Sequence, residues 1–281
     1  MNSRFLSQDI LDSFVHYLIL EEKSEATVEK YMRDIQSFYK YLCDSEVSKE
    51  NVIAYKKKLI DDGYATRSIN SMLASINSLF KFLGWYDCRV KAIKIQRDVF
   101  CSEDKELTRD EYVRLVKASG SYGNERLCML MQTICATGIR VSELKYITVE
   151  AVRKGQAVVN CKGKCRKIMI VKKLQKKLLK YAKERKITSG YIFITSKGNA
   201  INRTNIWKEM KNLCKTANVN PEKVFPHNLR HLFARIFYSM KKDIAQLADV
   251  LGHSNIETTR LYIVSSGTEH QHALEKMKLI I

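Results

Sequence analysis

A chain of 281 residues with 45% hydrophobic content can fill one large domain or two ordinary ones, and it is too apolar for disorder to be the general reading. The first twenty residues place Asp9 and Asp12 before a short apolar run that His16 interrupts, which argues against a signal peptide, and no apolar stretch is long enough to span a bilayer. The net charge of +19 is unevenly held: residues 1–104 carry 15 Lys and Arg against 16 Asp and Glu, and the remainder carries 34 against 14.

A block this basic points to a polyanion, with nucleic acid ahead of acidic lipid because neither an amphipathic anchor nor a lipidation signal accompanies it. Eight scattered cysteines without a CxxC pair suit a reducing cytoplasm.

In chain order, residues 8–20 fit a helix, and apolar residues at 28, 31, 32, 35, 38, 39 and 42 mark a stronger amphipathic one with Ser24 as its cap. A helix over 48–61 closes at Asp61, Asp62 and Gly63, and the periodic set returns at 69, 72, 73, 76, 79, 80 and 83 behind Thr66. These elements make residues 1–85 a helical bundle. Residues 86–105 lose periodicity and read as a linker, so residues 106–281 form a second domain.

Thr108 and Glu111 form a capping box at its start, and helices run through Leu127–Thr137. Strands are expected at 146–149, 156–160 and 167–171, the last two joined through Cys161-Lys162-Gly163-Lys164-Cys165 as a hairpin. Helices fill most of the rest, with a short amphipathic tail at 267–281 that docks on a neighbouring subunit or on its own chain. The fold class is mainly α with a small antiparallel β-sheet.

Three segments can carry chemistry. Ala136-Thr137-Gly138-Ile139-Arg140-Val141-Ser142-Glu143-Leu144 ends a helix at a glycine and presents Arg140, whose fork of donors suits phosphate; a surface pair with Glu143 is the plain alternative. Pro226-His227-Asn228-Leu229-Arg230 sets a titratable and a fixed charge three apart on one helical face, and read alone it is as well explained as a chance surface pair. Leu251-Gly252-His253 ends another helix, and Ser254 with Glu257 opens a helix on which Tyr262 lies about two turns along. A single tyrosine among fourteen is ordinarily a packing residue, so its neighbours give it meaning.

Together the segments match ATGxRxxEL, HxLRHxFA and LGHxxxxTTxxY, and the chain resembles the tyrosine recombinase (phage integrase) family, in a compact form like the Xer proteins. The resemblance implies a core-binding helical domain before a catalytic domain, closing on DNA as a C-shaped clamp. It implies that Arg140 and Arg230 hold the scissile phosphate, His253 donates to it, His227 helps take the Tyr262 proton, and Tyr262 attacks to give a 3′-phosphotyrosyl link. The leaving hydroxyl is protonated by the hairpin lysine, Lys162, with Lys164 as rival.

No cofactor or metal is implied, and the partner is double-stranded DNA, bound by a homotetramer on two sites and otherwise a monomer or dimer. Lys56, Lys57, Lys58 and Arg67 in the first domain and Lys164 in the second are candidate DNA contacts. Arg235 departs from the Thr or Ser usual in the second motif. A type IB topoisomerase and a non-catalytic DNA-binding accessory protein are the alternatives to a recombinase that integrates, excises or resolves dimers.

Overall fold

The computed structural model describes residues 4–95, 105–121, 123–161 and 164–262, except for the side chains of Cys161 and Lys164. The chain divides into two compact units, Met1–Arg97 and Asp98–Ile281.

The amphipathic stripes of the first unit close into four helices, α1 (Gln8–Leu20), α2 (Glu25–Leu42), α3 (Lys49–Asp61) and α4 (Thr66–Phe82). Their apolar faces meet at Leu11, Phe14, Ile35, Phe38, Leu73, Ile76 and Phe80, all buried, and Tyr55 lies 5.1 Å from Phe38, ring to ring. The buried polar residues there are Asp34 and Ser75, which satisfy each other: the Ser75 hydroxyl donates to Asp34 at 2.8 Å, and Lys30 pairs with Asp34 at 2.5 Å. Thr66 is the first residue of α4 and not its cap; Ala65 holds that position, and α4 starts without a side-chain cap.

The second unit opens with α5 (Arg109–Ser121), where Thr108 and Glu111 exchange reciprocal bonds at 2.8 and 3.2 Å as a capping box. Helix α6 (Glu125–Thr137) follows as the central rod, burying Leu127, Leu130, Met131 and Ile134 against α5, α8 and α11. After a 3-10 turn at Val141–Tyr146 come α7 (Val149–Lys154), β1 (Gln156–Cys161) and β2 (Lys164–Met169). The remaining helices are α8 (Lys172–Glu184), α9 (Arg203–Asn212), α10 (Cys214–Ala217), α11 (Pro226–Lys241), α12 (Ile244–Leu251) and α13 (Ile256–Arg260).

The sheet differs from expectation in two places. Residues 146–149 make no strand of it: Thr148 bridges singly to Tyr191, and its hydroxyl caps α7 by accepting from Ala151 N, so the apolar Ile147 and Val149 are buried as the approach to a helix. The second strand begins at Lys164, earlier than the apolar run, because β1 and β2 pair antiparallel in a register that sets Cys161 opposite Lys164 and Gln156 opposite Met169. Val171 belongs instead to the start of α8.

Candidate active site

The site is built on helix ends. Helix α6 stops at Gly138, whose φ of +63 suits glycine, and a Cβ there would stand 2.5 Å from the Phe233 ring. Helix α12 stops likewise at Gly252. Both ends point carbonyl groups at α11, which starts at Pro226 and carries Arg230 on its inner face.

Arg230 is 1% exposed, and its guanidinium donates to Gly138 O, to Leu251 O at 2.8 Å and to His253 Nε2 at 2.9 Å. These acceptors are helix-terminal carbonyls and a neutral ring, so they seat the cation without cancelling its charge. Its buried Nε has no partner among the described residues. Burial, followed by repulsion from Arg140, lowers Arg230 to about 10, which leaves it charged at neutral pH.

Arg140 stands at the head of the 3-10 turn, with Nη1 on Glu143 Oε1 at 2.9 Å and Nη2 on Gly252 O at 3.2 Å. The pairing with Glu143 is therefore real, but Glu143 is buried and the Arg140 side chain keeps 38% of its surface, so the arginine faces outward from a fixed base. Burial alone would raise the Glu143 carboxyl; the Arg140 backbone N–H and the charge of Arg166 outweigh it and hold the group below the usual carboxylate range.

Tyr262 is buried, with its hydroxyl 3.3 Å from His227 Nε2 and its ring 4.2 Å from that of His231 and 5.3 Å from that of His253. It closes a small apolar cluster with Ala234, Leu247 and Leu251. The local path differs from expectation: α13 is capped by Asn255, not Ser254, because the Asn255 side chain accepts from Glu257 N, and the helix ends at Arg260. Tyr262 thus lies in the turn beyond the helix, its N–H on Thr259 O at 2.9 Å.

Desolvation comes first, then the positive charges of His231, Arg230, Arg203 and Arg140, in lowering His227 to about 4. His253 falls to about 4 for similar reasons, burial foremost. Since the Arg230 nitrogen can only donate, His253 Nε2 accepts, and the ring proton sits on Nδ1 facing Thr259 Oγ1 at 2.9 Å. A hydrogen bond from His253 to phosphate would need Nε2 to leave Arg230 and carry the proton.

Five predicted residues, Arg140, His227, Arg230, His253 and Tyr262, therefore meet at one place. Lys162 lies outside the described residues, and of Lys164 only the backbone at the start of β2 is described. Lys56, Lys57, Lys58 and Arg67 belong to the first unit, where Lys56 donates to Lys91 O at 2.8 Å and Lys58 stands 3.8 Å from Asp62. Arg235 donates to Leu107 O at 2.6 Å and lies 3.4 Å from Glu106, tying the start of the second unit to α11.

Sequence reading missed Arg166, which donates to Glu143 Oε2 at 2.5 Å and to Val250 O at 2.7 Å. The readable signal was its phase. It shares the inward face of β2 with the buried Ile168, an unusual place for a charge.

Known proteins resemble this chain in sequence and fold. Residues 105–269 match the model of the phage integrase family, and residues 11–86 match that of the phage integrase N-terminal SAM-like domain. The tyrosine recombinase XerA of Pyrococcus horikoshii is 30% identical over 98% of this chain and 95% of its own length. The tyrosine recombinase XerD of Listeria innocua is 26% identical over 90% and 93%. Among solved structures, a lambda integrase tetramer bound to a Holliday junction superposes with a TM-score of 0.76 at 19% identity, over 93% of this chain and 78% of that one. No described helix is long and apolar enough to cross a membrane. With motif, fold and full-length likeness in agreement, the chain belongs to the phage integrase family of tyrosine recombinases.

Proposed function

We propose that the cluster around Tyr262 is the centre at which this site-specific DNA recombinase cuts and rejoins strands, with Tyr262 as nucleophile. The observation that carries the reading is the 3.3 Å approach of Tyr262 Oη to His227 Nε2 beside two cations that lack full counter-charge. At neutral pH His227 is unprotonated and can accept the phenolic proton as the oxygen attacks phosphorus. The tyrosine ester of the 3′ phosphate forms as the bond to the 5′ oxygen breaks, and a 5′ hydroxyl reverses the step, which conserves the phosphodiester energy.

Arg140 and Arg230 stabilise the charge that gathers on the non-bridging oxygens, and because helix-end carbonyls hold them in place before substrate arrives, little reorganisation is left for the reaction. Tyr262 reaches the histidine of its own chain, which favours attack within one subunit. The proton for the leaving oxygen is assigned to Lys162, with Lys164 as the rival, on motif position. Assembly as a homotetramer on two DNA sites is supported by the likeness to the lambda integrase tetramer on a Holliday junction. The chain would act where such DNA lies, in the cytoplasm.

The test is adduct formation on nicked duplexes taken from the DNA that flanks the chain's own gene. Wild type should give a protease-sensitive protein–DNA adduct, and Tyr262→Phe should bind the same DNA and give none. Adduct from both would remove Tyr262 from the role.

A further inference from the structure

Three consecutive carbonyls at the end of α12 each accept from a different arginine: Val250 from Arg166 at 2.7 Å, Leu251 from Arg230 at 2.8 Å, and Gly252 from Arg140 at 3.2 Å. Carbonyls at a helix C-terminus lack intrahelical donors and form the negative end of its dipole, so the position suits cations. Two of these arginines face the phosphate in the proposed chemistry. The third comes from β2 and has only 14% of its side chain exposed.

The surroundings of Arg166 are shaped to it. Gly252 adopts φ +64, and a Cβ there would stand 2.3 Å from Arg166 Cδ, so a side chain at that position would displace the arginine. Its Nη2 takes Glu143 Oε2 at 2.5 Å while Glu143 Oε1 takes Arg140 Nη1 at 2.9 Å. One buried carboxylate thus lies between two guanidinium groups. With Arg166 present the trio keeps one positive charge; without it Glu143 and Arg140 would cancel, and the carboxylate would be free to draw Arg140 inward.

We propose that Arg166 is a positioning residue for strand cleavage, holding Glu143 so that Arg140 keeps its outward orientation and net charge for the scissile phosphate. The inference rests on the assignment of Arg140 to that phosphate. Arg166 itself does not touch the reacting atoms. It acts through Glu143 and through the end of α12, which also carries His253.

The experiment measures single-turnover adduct formation with the full chain on the flanking-DNA duplexes, after mapping the scissile position with wild type. Each variant is given a phosphodiester or a methylphosphonate at that position; the latter lacks the negative charge that the clamp must hold. On the phosphodiester, Arg166→Ala should slow cleavage about 10- to 100-fold, the scale of a clamp misplaced rather than lost, with DNA affinity close to wild type. On the methylphosphonate the deficit should shrink to within about 3-fold, because charge at Arg140 matters less there.

Arg166→Lys, which keeps the charge but not both bonds, should fall between, and it carries the same comparison if Arg166→Ala does not fold. An equal loss on both substrates would mark a merely structural residue and overturn the proposal. So would wild-type rates, or a loss of DNA affinity that accounts for the whole defect. Absence of wild-type adduct, or adduct from Tyr262→Phe, overturns the underlying reading and this inference with it.

Discussion

A histidine that is to take a proton from a phenol must meet it neutral, and here burial, reinforced by the surrounding positive charge, enforces that. His227 and His253 lie among Arg140 and Arg230, and burial with those cations moves each from an ordinary 6.5 to about 4. In the unfolded chain both take up protons as pH falls through about 6.5, whereas the folded site resists until about 4. Over that window the unfolded state binds more protons, so stability is present above 6.5 and declines as pH falls toward 4. The free protein should therefore melt progressively lower between those limits, and His227→Gln should flatten the decline. Equal slopes for wild type and variant would show that His227 is not held neutral by the fold.

At the scale of elements, the site depends on where α6 and α12 stop. Gly138 lets the chain turn at φ +63 under the Phe233 ring and sends its carbonyl to Arg230. Gly138→Ala should cost about 1–3 kcal/mol through backbone strain alone. The 2.5 Å approach to Phe233 adds to that, and moving the carbonyl should slow adduct formation as well. A denaturant midpoint equal to wild type would contradict this account.

The same elements explain what could be read in advance. The amphipathic stripes of α2 and α4 are local properties of sequence, as is the Thr108–Glu111 box, and all three are present in the structure. Residues 146–149 misled because β-branched residues alternating between the core and the surface on the approach to a helix look like a strand until Thr148 is seen capping α7. The α13 start misled because Ser254 and Asn255 are both good caps, and the choice between them falls to backbone geometry. Among site residues, those within motifs could be found, whereas Arg166 is marked only by its phase on β2; its partners Glu143 and Val250 lie 23 and 84 positions away, and no local pattern encodes those contacts.

For the whole molecule, the uneven charge sets a question about DNA affinity. Residues 1–104 are nearly neutral in sum, yet a neutral sum is compatible with a basic face. Helix α3 buries Val52, Tyr55 and Leu59, and its three consecutive lysines fan around the remaining surface at about 100° steps. Lys56 is bent onto Lys91 O, and Lys58 is already near Asp62, so Lys57 is the one whose charge is most open to a phosphate. Each phosphate contact releases counterions, and its loss lowers the slope of log affinity against log salt by about 0.9. Replacing all three lysines by Gln should flatten that slope by at least about 1 while adduct formation persists at saturating protein, and Lys57→Gln should account for more of the change than Lys58→Gln. A slope that does not move would take α3 out of the DNA interface and leave salt dependence to the basic second unit.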